Sequence, residues 1–160
     1  MGLIVIPHPE KCTYCRECEL ICSLHHEKKV NPKKSRIRVM KVSYERSVPS
    51  LCTHGYGCAL ECIDACPTGA IEEKNGFVSI DKDLCDGCAA CVDVCPFNAI
   101  RVFDGKAEKC DLCGGEPKCV SLCSQGALTF EEGKTADRRV FNEIKDVVEE
   151  RRGDYELLQI

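Results

Sequence analysis

The chain has no tryptophan, only two methionines and 6% aromatic residues in 160 positions. So few large apolar side chains exclude a core stabilised by burial alone, because a chain of this length depends on such burial to offset its conformational entropy. No apolar run approaches the roughly 20 residues of a membrane-spanning helix. The segment Met1-Gly2-Leu3-Ile4-Val5-Ile6-Pro7 has no basic start, long apolar stretch or small-residue cleavage site, so no export signal is expected. The pairs Arg138-Arg139 and Arg151-Arg152 sit too far along the sequence to act as one. There is no Gly-rich nucleotide loop, no radical-type C-x3-C-x2-C run and no credible pairing of nucleophile and base, which argues against an enzyme in its own right. No output module is left over for a redox sensor. The net charge of −4, more negative still once thiolates are counted, disfavours nucleic acid.

The residue in excess is cysteine, sixteen in all. Without it the 44% hydrophobic content falls to about 34%, and a staple other than burial is required. Disulfides belong to secreted chains, whereas a cytoplasmic location is expected here, where thiols stay reduced and bind metals. The cysteines form four quartets: Cys12, Cys15, Cys18, Cys22; Cys52, Cys58, Cys62, Cys66; Cys85, Cys88, Cys91, Cys95; and Cys110, Cys113, Cys119, Cys123. The first and third read C-x2-C-x2-C-x3-C, the run that holds a 4Fe–4S cluster in bacterial ferredoxins. Three closely spaced thiols let one loop reach three corners of a cubane, and the fourth corner is filled from elsewhere. Zinc takes two C-x2-C pairs set well apart, and Cys85, Cys88 and Cys91 are too dense for that. No C-x2-C is followed by His, which excludes c-type haem.

Cys66-Pro67-Thr68-Gly69-Ala70-Ile71 and Cys95-Pro96-Phe97-Asn98-Ala99-Ile100 repeat the ferredoxin C-P-x-x-A-I ending, and Cys123-Ser124-Gln125-Gly126-Ala127-Leu128 is a third copy with Ser for Pro. Proline fixes φ beside a cluster, and the apolar pair that follows can cover it. The second quartet is irregular. It has no C-x2-C pair, and Gly55 stands where a cysteine is expected. A four-cysteine cluster using Cys58, a His54-ligated or three-iron cluster, and an empty site all remain open. In the fourth quartet Gly114-Gly115-Glu116-Pro117 supplies the turn that its stretched spacing needs.

The expected fold class is α+β, with short hairpins alternating with cysteine loops. Residues 3–6 should pair with 128–130. Hairpins are expected at 70–80 around Asn75-Gly76 and from 100 around Asp104-Gly105, with short helices within 15–25, 61–66 and 89–94. Residues 28–46 hold eight Lys or Arg and one acid, Glu45, and Arg36 to Val42 alternates as a strand with one basic face. That face is either simply solvated or a docking site. Val140, Phe141, Ile144, Val147 and Val148 form a helical stripe, capped by Thr135 or Asp137 and ending at Gly153. It packs on its own domain or on a partner, and the tail Tyr155 to Ile160 is expected to dock as well. His25, His26 and Glu27 are the one dense polar cluster, and they read as supports or surface rather than catalysts.

Over about residues 8–130 the quartets resemble the four-cluster, ferredoxin-like subunits of tungsten or molybdenum pterin oxidoreductases. Cys18-Glu19-Leu20-Ile21-Cys22-Ser23-Leu24-His25-His26-Glu27, with Asn31-Pro32 and Ser35-Arg36-Ile37, is similar to the small subunits of aldehyde:ferredoxin oxidoreductase-type complexes, among them class II benzoyl-CoA reductase of anaerobes. The resemblance implies two nested ferredoxin-like βαβ units: an outer one from 1–30 with 104–134 and an inner one over 50–103. A basic linker strand at 31–49 and a C-terminal docking helix at 135–160 complete the organisation. Within each unit the fourth cysteines trade places, Cys66 with Cys95 and Cys22 with Cys123. The implied function is relay of single electrons through four 4Fe–4S clusters, between a large tungsten-pterin catalytic subunit and an external ferredoxin or other redox subunit, with no catalytic site in this chain. A free soluble polyferredoxin and an iron–sulfur subunit of a molybdopterin or hydrogenase complex are the alternatives.

Overall fold

The computed structural model describes residues 2–156, with side chains as far as 151. Its hydrogen-bonding pattern is α+β, built from two-stranded antiparallel sheets and helices of mostly one to three turns. Strand β1 (Leu3–Pro7) pairs with β8 (Leu128–Glu132), Val5 opposite Phe130 and Ile6 opposite Thr129, as the sequence pattern suggested. The ladder continues where the His8 N–H donates to the Ala127 carbonyl (2.8 Å).

Between these strands lie three hairpins. Strands β4 (Ile71–Lys74) and β5 (Phe77–Ile80) turn at Asn75-Gly76, and β6 (Arg101–Phe103) and β7 (Lys106–Glu108) turn at Asp104-Gly105. Both residues of each turn have positive φ (56° and 79°; 51° and 74°), the twist-matched type I′ geometry that Asn-Gly and Asp-Gly favour. The third hairpin corrects the reading of the basic segment as a lone strand. Strand β2 (Ile37–Lys41) pairs with β3 (Ser47–Leu51), and Ile37, Val39, Met40, Val48 and Leu51 are buried. Pro49 hid β3 from pattern reading, yet a two-stranded sheet has only edges, where a missing N–H is tolerated.

Four helices accompany the cysteine loops: α1 (Glu17–Glu27), α2 (Glu61–Asp64), α3 (Ala90–Val94) and α4 (Lys118–Leu122). The fifth, α5 (Arg138–Glu156), begins where Asp137 Oδ1 accepts the Arg139 N–H (2.9 Å). It runs past Gly153 rather than stopping there; a glycine within a helix costs only about 0.5–1 kcal/mol relative to alanine. Phe141, Ile144, Val147 and Val148 are buried, so the apolar stripe of α5 packs on its own chain. Leu157, Leu158 and Ile160 of the expected docking tail lie outside the described residues.

Two apolar cores result. The larger joins Ile4, Ile6, Met40, Val48, Val78, Phe97 and Ile100 to the stripe of α5 and includes Cys85, Cys91 and Cys95. The smaller holds Val5, Ile37, Leu51, Leu112 and Leu128 with Cys22 and Cys119. Alternate faces of β1 thus feed different cores, so one short strand ties both together. At the foot of α5 a Cβ on Gly57, whose φ is +79°, would lie 2.7 Å from Phe141 Cβ. Phe141→Ala should therefore destabilise the protein by about 3–5 kcal/mol, measured as a lower urea midpoint under anoxic conditions; an unchanged midpoint would mean that α5 does not pack as described.

Candidate metal centres

A repeated backbone device shapes the cysteine loops. Arg16, Leu60 and Ala89, each the residue before a helix, adopt left-handed backbone conformations (φ 61°, 62° and 66°). In each case the third cysteine of the quartet follows two positions later, at Cys18, Cys62 and Cys91. In the fourth loop Cys113 itself is left-handed (φ 50°), followed by Gly114 and Gly115. A left-handed residue with a side chain costs about 1–2 kcal/mol. Its alternation with right-handed neighbours curls the backbone into a concavity that turns N–H groups toward an anion. Neither Arg, Leu nor Ala advertises this geometry, so it was not legible in the sequence.

The loops bring distant thiols together. Cys12, Cys15, Cys18 and Cys123 line one cavity, walled by Val39, Pro49, Ala127 and Leu128. A second cavity is lined by Cys52, Cys58, Cys62 and Cys95, with Leu60, Val78, Phe97 and Ile100. Cys91 interacts electrostatically with Cys66, Cys85 and Cys88, and Cys119 with Cys110, Cys113 and Cys22. In each of the two cavities, three thiols of one quartet thus meet a single thiol of another. For the irregular quartet, Cys58 lies on the cavity wall, whereas His54 turns elsewhere: it stacks on Phe77 (ring centroids 4.7 Å apart) and accepts the Val78 N–H at Nδ1 (3.1 Å).

The chemistry of these donors fits a 4Fe–4S cluster. Four sulfurs converge on an apolar, water-poor space, and backbone N–H groups already donate to them: Arg36 to Cys22 (3.2 Å), Ala99 to Cys95 (3.4 Å) and Ala107 to Cys85 (3.4 Å). Such bonds lower the electron density on sulfur and so favour reduction. Burial pushes the Cys18 and Cys62 thiols up to about 12 and those of Cys91 and Cys95 up to about 11. Cys66 goes the other way. Burial raises it, but hydrogen bonds from the Thr68 hydroxyl and from the N–H groups of Ala70, Thr68 and Ile71 outweigh that and lower it.

Several supporting residues escaped sequence reasoning. Glu19 is almost fully buried, holds Arg16 in an ion pair and accepts the Val39 N–H (2.7 Å), pinning α1 to β2. Arg36 pairs with Glu108 (2.7 Å) and Asp111 (3.1 Å) and meets Nδ1 of His26. His26 Nε2 lies 3.9 Å from Cys113 Sγ, with His25 beside it, so the histidine pair packs beside the fourth loop, in keeping with a supporting role. Burial, then the nearby Arg36, hold His26 below the usual histidine range. Lys109 is buried next to Cys110.

A thiol whose pKa is raised keeps its proton to higher pH and reacts correspondingly less as the thiolate nucleophile. In the metal-free protein, alkylation at pH 8 read by mass spectrometry should therefore label Cys66 well before Cys18 or Cys62. The rates at the latter two should climb about tenfold per pH unit toward 12. Because the unfolded chain loses these protons near 9 while the folded chain keeps them, stability of the metal-free fold should fall as pH rises from 9 toward 12. Equal labelling of the three thiols at pH 8 would contradict the buried arrangement.

Comparison with known proteins gives an independent line. Families described as "4Fe-4S binding domain" match residues 78–101 and 9–28. The polyferredoxin-like subunit of an aliphatic sulfonate oxidoreductase from Pyrococcus furiosus is 43% identical over 101 residues, covering 61% of this chain and 57% of that protein. The chain thus spans little more than half the length of that curated relative. An iron-sulfur protein of Rhodospirillum rubrum is 32% identical over 131 residues, covering 69% of this chain and 67% of its own. Among solved structures, a chain of the active site complex BamBC of benzoyl coenzyme A reductase, as isolated, is similar with a TM-score of 0.46 and 26% identity, over 99% of this chain and 98% of that one. With thiols gathered in fours and this kinship, the chain belongs to the ferredoxin-like family of 4Fe–4S iron–sulfur electron-transfer proteins.

Proposed function

We propose that this chain is a non-catalytic electron-transfer subunit whose sixteen cysteines hold four 4Fe–4S clusters arranged as one conducting series. What supports this reading is the meeting of Cys12, Cys15 and Cys18 with Cys123 in one cavity and of Cys52, Cys58 and Cys62 with Cys95 in another, a pattern that the other eight cysteines can complete as two further sets. Each cluster, when bound, stores and releases a single electron. The first set uses Cys12, Cys15, Cys18 and Cys123; the second Cys52, Cys58, Cys62 and Cys95; the third Cys85, Cys88, Cys91 and Cys66; the fourth Cys110, Cys113, Cys119 and Cys22. This is the nested organisation, outer unit around inner, with the fourth cysteines exchanged.

Electrostatic neighbours across sets support an order. Cys119 feels Cys18, linking fourth to first, and Cys110 feels Cys52, linking fourth to second. The second and third sets are joined by α2, which carries Cys62 and is followed, just past its end, by Cys66. The series is then first, fourth, second, third. Its two terminal sets contain the two exposed cysteines, Cys15 and Cys88, where electrons can enter and leave.

The finer reading is a tungsten-pterin catalytic partner of the aldehyde oxidoreductase or benzoyl-CoA reductase type, in a cytoplasmic, anaerobic setting. It rests on the resemblance of residues 18–37, and the name of the Pyrococcus relative, a subunit of an oxidoreductase, is in keeping with it. No described helix is long and apolar enough to cross a membrane. Beside the first set, Arg16, Lys33, Arg38, Lys41 and Arg151 surround a cavity of about 360 Å³, a face suited to an acidic redox partner. The buried stripe of α5 favours the second reading, a free polyferredoxin, because it removes one apolar surface that a permanent partner would cover.

Two measurements test these readings. The anoxically purified protein should hold about sixteen irons, and Cys58→Ser should lower that to about twelve; no loss on this substitution would return the second set to the alternatives using His54 or no cluster. Purification of the tagged chain from its own cells should bring down a larger subunit carrying tungsten, detected by mass spectrometry of the metal. A stable monomer with no larger subunit would instead favour the free polyferredoxin.

A further inference from the structure

Lys109 is a cation in an unusual place. Its side chain is buried (residue 5% exposed), and among the described residues no carboxylate lies within ion-pair distance of its Nζ. The carboxylates on either side of it in sequence are engaged: Glu108 with Arg36 and Lys82, Asp111 with Arg36. Nζ donates to the Cys110 carbonyl (3.0 Å), sits 3.4 Å from His54 Nδ1 and lies 5.2 Å from the centre of the Phe77 ring. A neutral imidazole, an aromatic face and one carbonyl solvate an ammonium only partly, and a buried charge without a counter-charge is strongly destabilising.

Thiolates ligating the bound clusters would supply the missing counter-charge. Nζ touches two cysteine loops, 3.4 Å from Nδ1 of His54, which lies between Cys52 and Cys58 of the second set, and 3.0 Å from the carbonyl of Cys110 of the fourth. The cation is therefore shared across the junction between the two middle sets. His54 fixes it from the other side. Its left-handed backbone (φ 53°) and its stacking on Phe77 direct Nδ1 toward both the Val78 N–H and the ammonium.

We infer that Lys109, held by His54 and Phe77, is a positioning charge that raises the reduction potentials of the two middle clusters together, making them a matched pair within the series. A fixed positive charge favours the state with the extra electron, and in a low-dielectric interior it is weakly screened. Bridging two sites, it favours the electron on either side without trapping it on one. One electron enters the pair from a donor cluster and one leaves to an acceptor cluster; no bond is made or broken. This inference rests on the four-cluster reading above.

The test is Lys109→Met, which keeps length and removes charge, with Lys109→Arg as the charge-retaining control. Iron is counted first in the wild-type protein; about twelve irons or fewer there fails the four-cluster reading itself. With about sixteen present, a dithionite redox titration followed by EPR should show two of four reduction waves moving to lower potential in Lys109→Met and none doing so in Lys109→Arg. Waves that all stay in place, that all move together, or that move singly overturn the inference and leave the cluster count standing. Should Lys109→Met not assemble its clusters, the same titration on His54→Gln decides: displacement of two of the four waves together supports the placement of the charge, and waves that stay in place, all move or move singly overturn it.

Discussion

Everything in this molecule depends on thiols from distant parts of the chain converging on shared cavities. Cys123 reaches Cys12 across more than a hundred residues, and Cys95 reaches Cys52 and Cys58 across about forty. The pairing of β1 with β8 reinforces the longer of the two. Two small apolar cores with no tryptophan leave the hairpins marginal on their own, since an isolated two-stranded hairpin is scarcely stable in water. Metal binding at such cross-linked sites contributes folding free energy directly, so site and scaffold are the same object.

The same economy accounts for the local strain. Left-handed Arg16, Leu60, Ala89 and Cys113 are unfavourable as isolated backbone choices, and they cluster where the chain must curl round a space lined by sulfur. The short helices that follow offer the next cysteine at once and then end, because α2, α3 and α4 need present only one turn. By contrast α1 is long. It carries both Cys18 and Cys22 and is anchored to β2 by the buried Glu19, so it holds the two thiols at a fixed spacing.

Charge is distributed with similar consistency. An overall acidic chain concentrates Arg16, Lys33, Arg38 and Lys41 on one face near the exposed Cys15, while Glu19 sits buried beneath it next to Cys18. Deeper in, Lys109 is a buried cation set between His54 and the Cys110 carbonyl. Opposite charges thus lie near the end and the middle of the proposed series, where each biases the local preference for an extra electron.

The sequence by itself determined the cofactor and much of the local fold. Cysteine spacing states how many thiols a loop can offer, Asn75-Gly76 and Asp104-Gly105 state a type I′ turn, and the short apolar, β-favouring runs at 3–6 and 128–130 state two strands, all short-range rules. It did not reveal that β3 exists, because Pro49 breaks the strand pattern, nor that α5 passes Gly153, because helix ends are set by neighbours as much as by one residue. Only the tertiary structure decided that Cys58 rather than His54 lines its cavity, and that Lys109 is buried against His54. Those are relations between segments far apart in the chain, fixed by packing and by the sign of nearby charge, and spacing along a sequence carries no record of either.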